Sequence, residues 1–199
     1  MKRRVKIAAV GVALKWSQRL LLGGALVALG YCGFVLVDSW RFQLAQLREF
    51  SRLVTVKPPL AAGVPIAPIA DALIGRIEVR RLGLSAMVVE GTTTSDLRSA
   101  AGHITNTGMP GVPGNIGIAA HRDTFFRPLR NVRKDDIVTL STAGAEYRYR
   151  VVYTKVVDPD DVSVLDAGDA EILTLVTCYP FSFVGSAPER FIVTAERIL

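Results

Sequence analysis

Hydrophobic and polar positions change period several times along the chain. Residues 20–37, LLLGGALVALGYCGFVLV, form an apolar run of 18 residues without a charge. As a helix rising 1.5 Å per residue this run covers ~27 Å, close to a bilayer's hydrocarbon core. Trp16 and Trp40 flank it, where indole rings suit the two membrane interfaces. Phe42, Leu44, Leu47, Phe50 and Leu53 then recur among Arg, Gln and Glu at helical spacing, which predicts a stalk over 38–54. Pro58, Pro59, Pro65 and Pro68 follow, and their fixed φ and missing donors predict an extended linker that completes 38–72. From Leu73 onward the pattern shortens to β-type runs at 73–80, 85–89, 115–121, 137–141, 146–157, 172–178 and 191–197. A helical turn or two is predicted over 93–99, started by a Thr or Ser cap. Residues 73–199 thus read as one mainly β domain. Closure into a barrel follows because few of the strands are long, and the length suffices to bury a core.

Charge changes this picture by orienting it. The net charge is +6, from 24 basic and 18 acidic residues. Lys2, Arg3, Arg4, Lys6, Lys15 and Arg19 precede the apolar run with no acid among them, so 1–19 holds the whole excess. The rest of the chain is balanced, which argues against a basic nucleic-acid-binding face and excludes nucleic acid as a partner. Positive charge on the N-terminal flank places 1–19 in the cytoplasm, 20–37 across the cell membrane and 73–199 outside it, a single-pass layout. A cleaved signal peptide would have a shorter apolar region ending in a small-x-small site. Ala28-Leu29-Gly30 lies in mid-run and 35–40 holds no such site, so an uncleaved anchor is expected.

The candidate chemistry comes from three scarce or well-placed side chains. Cys32 lies in the apolar run, so Cys178 is a lone thiol in the outer domain, in an oxidising compartment. A lone Cys is often only a small buried hydrophobe, yet Cys178 ends the run EILTLVTC just before Tyr179-Pro180, which presents it at a barrel rim. His121 likewise ends the apolar run NIGIAAH. Side by side and parallel, these two strands bring Cys178 and His121 to one rim. Arg190 opens the last strand, and the short 179–189 loop suits an antiparallel neighbour that returns it to the same rim. A thiol beside a cation and an imidazole can be held as thiolate. The imidazole can protonate a leaving amine, and the guanidinium can stabilise an oxyanion.

On these residues the sequence resembles the sortases, membrane-anchored cysteine transpeptidases, and most resembles class D. The resemblance is carried by AGHITNTGMPG, by PGVPGNIGIAAHRDTFFRPLRNVRKDD and by LTLVTCYPFSFVGSAPERFIVTAERI. They hold a TLxTC motif ending at Cys178, a histidine motif ending at His121, the pair Phe125-Phe126 and Arg190, in the family's order. Ala120 stands where such proteins often have Gly, a change of packing rather than chemistry. The resemblance implies a closed eight-stranded β-barrel with one or two short helices behind the transmembrane helix. It implies that Cys178 attacks the Thr carbonyl of a Leu-Pro-any-Thr-(Gly/Ala) sorting signal. His121 then protonates the departing amine, and Arg190 holds the oxyanion or the substrate backbone. An amine nucleophile of cell wall or pilin resolves the thioester, so the implied partners are secreted proteins with a C-terminal sorting signal. Thr177, Val176, His103 and Asn115 are the candidate substrate-binding residues.

His103 lies in the Gly/Thr/Pro-rich stretch AGHITNTGMPG, so a loop position near the substrate is expected rather than the acid/base role. No clustered ligand spacing supports a metal at His103, His121 and Cys178. The five Asp residues of 158–169 lack an acidic counterpart in 101–114 and read as a solvated loop covering the substrate groove, so neither calcium nor another cofactor is expected. Two other functions compete. An L,D-transpeptidase also uses Cys, His and Arg, but its Ser/Thr-His-Gly-Cys pattern is absent. A non-catalytic membrane-tethered β module would leave Cys178 incidental.

Overall fold

The computed structural model describes residues 2–56, 73–183 and 185–198. The proline-rich linker expected at 57–68 lies outside the described residues. Two compact units emerge, Met1–Arg41 and Phe42–Leu199. A single helix α1, Lys2–Val56, runs through the basic flank, the apolar run and the stalk. Its stretch Lys15–Ala45 is long and apolar enough to cross a membrane. Leu21, Val27 and Leu29 there stand exposed, as side chains that meet lipid would.

The second unit holds a closed eight-stranded barrel, as the resemblance implied, in the order β1-β2-β3-β4-β7-β8-β6-β5. The strands are β1 Leu73–Val79, β2 Leu84–Glu90, β3 Ala101–His103, β4 Gly114–Ala119, β5 Ile137–Ser141, β6 Glu146–Val157, β7 Glu171–Tyr179 and β8 Glu189–Ile198. One short helix, α2, Thr94–Ser99, starts from Thr93 through a reciprocal capping box with Asp96. Three short 3₁₀ turns, at Arg80–Leu82, Arg127–Asn131 and Val162–Leu165, complete the connections.

Alternation decides which side chains fill the barrel. Ile116 and Ile118 of β4, Leu173 and Leu175 of β7, and Val193 and Ala195 of β8 are fully buried in one core with Ile77, Val138, Leu140 and Tyr149. With a side-chain period of two, their sequence neighbours face outward. On β4–β7–β8 this outer face carries Gly117, Val176 and Ile192.

Three expectations need correction. The sequence pattern predicts seven strands and misses β3. His103 is not in a loop: it is the last residue of β3, which pairs parallel with β2 and antiparallel with β4. Three residues within a glycine-rich stretch carry no alternation, so only the two neighbouring strands define this one. Finally, β4 stops at Ala119, two residues short of His121, while β7 runs one residue past Cys178 and β8 starts one residue before Arg190.

Candidate active site

β4 and β7 are parallel, with Ala119 opposite Val176. The pairing continues one step beyond the ladder, where the Ala120 N–H donates to the Val176 carbonyl at 3.2 Å. Extending that register one further step sets His121 opposite Cys178, two residues past the end of β4. On the other side of β7 the antiparallel strand β8 sets Arg190 directly opposite Cys178. Cys178 and Arg190 share the outward parity of Val176 and Ile192 and lie opposite one another on one face, and the extended register brings His121 to the same end of the barrel. His121 is exposed, and Cys178 and Arg190 are half-buried. Arg190 Nη1 donates to the carbonyls of Ala187 (3.3 Å) and Glu189 (3.0 Å), which holds the guanidinium at the strand entrance.

Below these residues the outer face carries Ala119, Gly117, Val176 and Ile192, with Gly117 and Ile192 buried and Ala119 and Val176 half-buried. A Cβ on Gly117 would lie only 3.0 Å from Leu165 and 3.1 Å from Ile104 and Thr107, so those side chains pack over the glycine. The 3₁₀ turn Val162–Leu165 is fastened there by Asn115, whose Nδ2 donates to the carbonyls of Val164 (2.9 Å) and Asp166 (3.3 Å). Asn115 Oδ1 in turn accepts from the Thr174 hydroxyl at 2.7 Å, and both residues are buried.

The four candidate substrate-binding residues therefore separate. Val176 lies half-buried on the outer face two residues from Cys178. Asn115 lies under the covering turn and holds it. Thr177 faces the opposite way, and its hydroxyl donates to the Ala120 carbonyl at 2.7 Å. His103 is 3% exposed; Nδ1 meets Glu90 Oε2 at 2.7 Å, and Nε2 meets the Gly108 carbonyl at 2.9 Å and the Thr107 hydroxyl at 3.1 Å. Its ring is thus committed to protein partners inside the barrel wall and is not brought to Cys178. Among the described residues no group of three His, Cys, Asp or Glu side chains is placed to hold a metal ion.

Two features escaped the sequence reading. Tyr179, Phe181 and Phe191 pack as a ring cluster, with centroids 5.3 to 6.1 Å apart, behind the strand ends that carry Cys178 and Arg190. Their alternation with Cys178 and Arg190 is the signal that could have found them. The second is Arg122, next to His121 yet buried, which hydrogen-bonds three carbonyls of the β7–β8 loop. On the far wall, a cleft of about 540 Å³ is lined by Arg80, Arg81, Asp136, Thr139 and Arg148, with mixed charge and no nucleophile.

Known proteins place this geometry. The family model described as "Sortase domain" matches residues 77–198. Sortase D of Bacillus subtilis is 34% identical over 190 residues, covering 89% of this chain and 96% of that protein. A Clostridium perfringens sortase D5 transpeptidase of known structure is 30% identical with a TM-score of 0.58, over 63% of this chain and 79% of its own. Sortase A of Listeria monocytogenes superposes with a TM-score of 0.59 at 29% identity, over 65% of this chain and 89% of its own. With the domain matched over more than half the chain and a class D relative aligned nearly end to end, this protein belongs to the sortase family of cysteine transpeptidases.

Proposed function

We propose that the protein cleaves Leu-Pro-x-Thr-(Gly/Ala) sorting signals after Thr and transfers the substrate to an amine on the cell surface. The Cys178 thiolate attacks the Thr carbonyl carbon. The C–N bond to the following residue then breaks, and His121 delivers the proton that the departing amine needs. Arg190 stabilises the oxygen that becomes negative in the tetrahedral intermediate. The amine nucleophile attacks the thioester, passes its proton to His121 and restores the thiolate. The observation that supports this reading is Arg190 directly opposite Cys178 on β7 and β8, with β4 parallel to β7 and His121 two residues beyond its end. Val176, half-buried on the outer face, supplies an apolar contact for the residues before the scissile bond. Asn115 acts through the covering turn, and His103 through the Glu90 and Gly108 contacts, rather than on substrate.

The layout follows from the charge asymmetry. Residues 1–19 lie in the cytoplasm, 20–37 span the membrane, 38–72 form the stalk and linker, and 73–199 work outside, where secreted substrates and acceptor amines are found. The test is incubation of the full chain in detergent with a library of Leu-Pro-x-Thr-x peptides, read by intact mass. A peptide adduct lacking the residues after Thr, released by hydroxylamine and absent in Cys178→Ala, is expected. A freely alkylated thiol with no adduct from any peptide refutes the substrate reading.

A further inference from the structure

We propose that Arg122 is a positioning residue that sets the separation of His121 from Cys178. This inference rests on reading Cys178 and His121 as nucleophile and acid. The backbone ladder joining β4 to β7 ends at Ala120 and Val176, reinforced by the Thr177 hydroxyl on the Ala120 carbonyl. Beyond that point the two chains diverge. The chain after β4 turns back through Thr124 and Phe126 N–H groups on the His121 carbonyl, and the chain after β7 enters the 180–188 loop. Both catalytic side chains therefore sit at or beyond the last backbone link between their strands.

Arg122, the residue after His121, bridges this gap. Its Nη1 donates to the Pro180 carbonyl at 2.8 Å, and its Nη2 to the carbonyls of Phe183 at 2.5 Å and Gly185 at 3.3 Å. The side chain is only 5% exposed. The Asp123 carboxylate lies 3.5 Å from Nε without hydrogen-bond geometry. A buried cation spread over three backbone carbonyls is a demanding arrangement, because the planar fork must meet acceptors at fixed angles, which an ammonium group cannot reproduce. Nearby Arg127 and Arg130 remain exposed, so solvation of a surface arginine does not explain it. Arg190 holds the far end of the same loop through Ala187 and Glu189. One buried guanidinium thus connects the His121 segment to the residues just after Cys178 and, through the loop, to the approach of Arg190.

The test uses the full chain with Arg122→Lys and Arg122→Met, and Arg81→Met as control. Arg81 is another multiply bonded arginine, paired with Asp136 and the Asn131 carbonyl on the far wall. Single-turnover acylation is measured against peptide concentration, together with iodoacetamide alkylation of Cys178, at a temperature where melting shows every variant folded. Both Arg122 variants should lose about 10- to 100-fold in the saturating acylation rate, the scale of an ångström-level misplacement. Half-saturation should hardly move, and the alkylation rate should change. Arg81→Met should melt lower yet keep both rates. Wild-type kinetics in folded Arg122 variants overturn the proposal, as does an equal loss in Arg81→Met. Should the Arg122 variants fail to fold, Gly185→Ala decides. It strains a backbone φ of +102° and shifts one acceptor while leaving Arg122 in place. The same kinetic signature at smaller amplitude is expected, and unchanged kinetics overturn the proposal. A wild-type enzyme that alkylates normally but is never acylated sinks the substrate assignment instead, and the alkylation comparison still judges Arg122.

Discussion

The two histidines offer a double dissociation between chemistry and stability. His103 is 3% exposed and contacts Glu90, Gly108 and Thr107 at 2.7, 2.9 and 3.1 Å. His103→Ala removes all three contacts, leaves the Gly108 carbonyl without its donor and opens a hole in a packed wall. At about 1 kcal/mol per lost hydrogen bond, and more for the charged Glu90 partner, the cost is about 2–4 kcal/mol. For a domain of this size each kcal/mol lowers the melting temperature by about 3–5 °C, so a drop of about 6–20 °C follows. His121 is exposed, and no hydrogen bond to its ring occurs among the described residues. His121→Ala should therefore cost within about 0.5 kcal/mol of stability. Loss of a general acid should nonetheless slow acylation by about 10²–10⁴-fold. Calorimetry and single-turnover acylation, run well below both melting transitions, separate the two effects. A folded His103→Ala enzyme that is catalytically dead, or a His121→Ala enzyme with near wild-type acylation, refutes the assignment and the strand-register argument behind it.

Arg190→Lys keeps the charge but loses the planar donor fork, so saturating acylation should fall while peptide half-saturation holds; an unchanged rate would assign Arg190 a structural role only. Thr174→Val and Asn115→Ala remove the two ends of one buried hydrogen bond, and a thermal-melt double-mutant cycle should give a coupling of about 0.5–3 kcal/mol; additive losses would show that the two act independently. The Arg81 guanidinium, foremost through its hydrogen bond, holds the Asp136 carboxyl below its ordinary range, and the Arg133 N–H adds to this. A depressed folded-state value means the pair's stability is present above the unfolded carboxylate range near ~3.9 and is lost as pH falls through the lower folded value. The melting-temperature gap between wild type and Asp136→Asn should therefore narrow on acidification through that window, and a constant gap would contradict it.

Much of the protein is legible in local pattern. The apolar run at 20–37 is long enough to declare itself by composition, and all six positive charges of 1–19 lie on one flank of it. Seven of the eight strands alternate strongly enough to be placed within a few residues. Cys178, His121 and Arg190 are found because a lone polar residue closing or opening an apolar run must emerge at a strand end. The parallel placement of β4 beside β7 is a hypothesis at that level, since β5 and β6 intervene in sequence and only long-range pairing brings the two together.

What remained for the tertiary structure has one physical character: each item depends on partners far away in the chain. β3 has three residues and exists only because β2 and β4 flank it. His103 looks like a loop residue because it lies in a Gly/Thr/Pro-rich stretch, but in the fold it is buried against Glu90, Thr107 and the Gly108 carbonyl. Asn115 and Thr174 meet across a separation of 59 positions. Arg122 reads as one more charge after a histidine, and only folding of the 180–188 loop over its guanidinium makes it a buried tie. The sequence by itself determined the long apolar helix and the β character and singled out the candidate reacting groups, because local composition and period encode them. The fold decided which polar residues are buried in the scaffold and which stay at the strand ends, because burial and hydrogen bonding are properties of contacts that no local window contains.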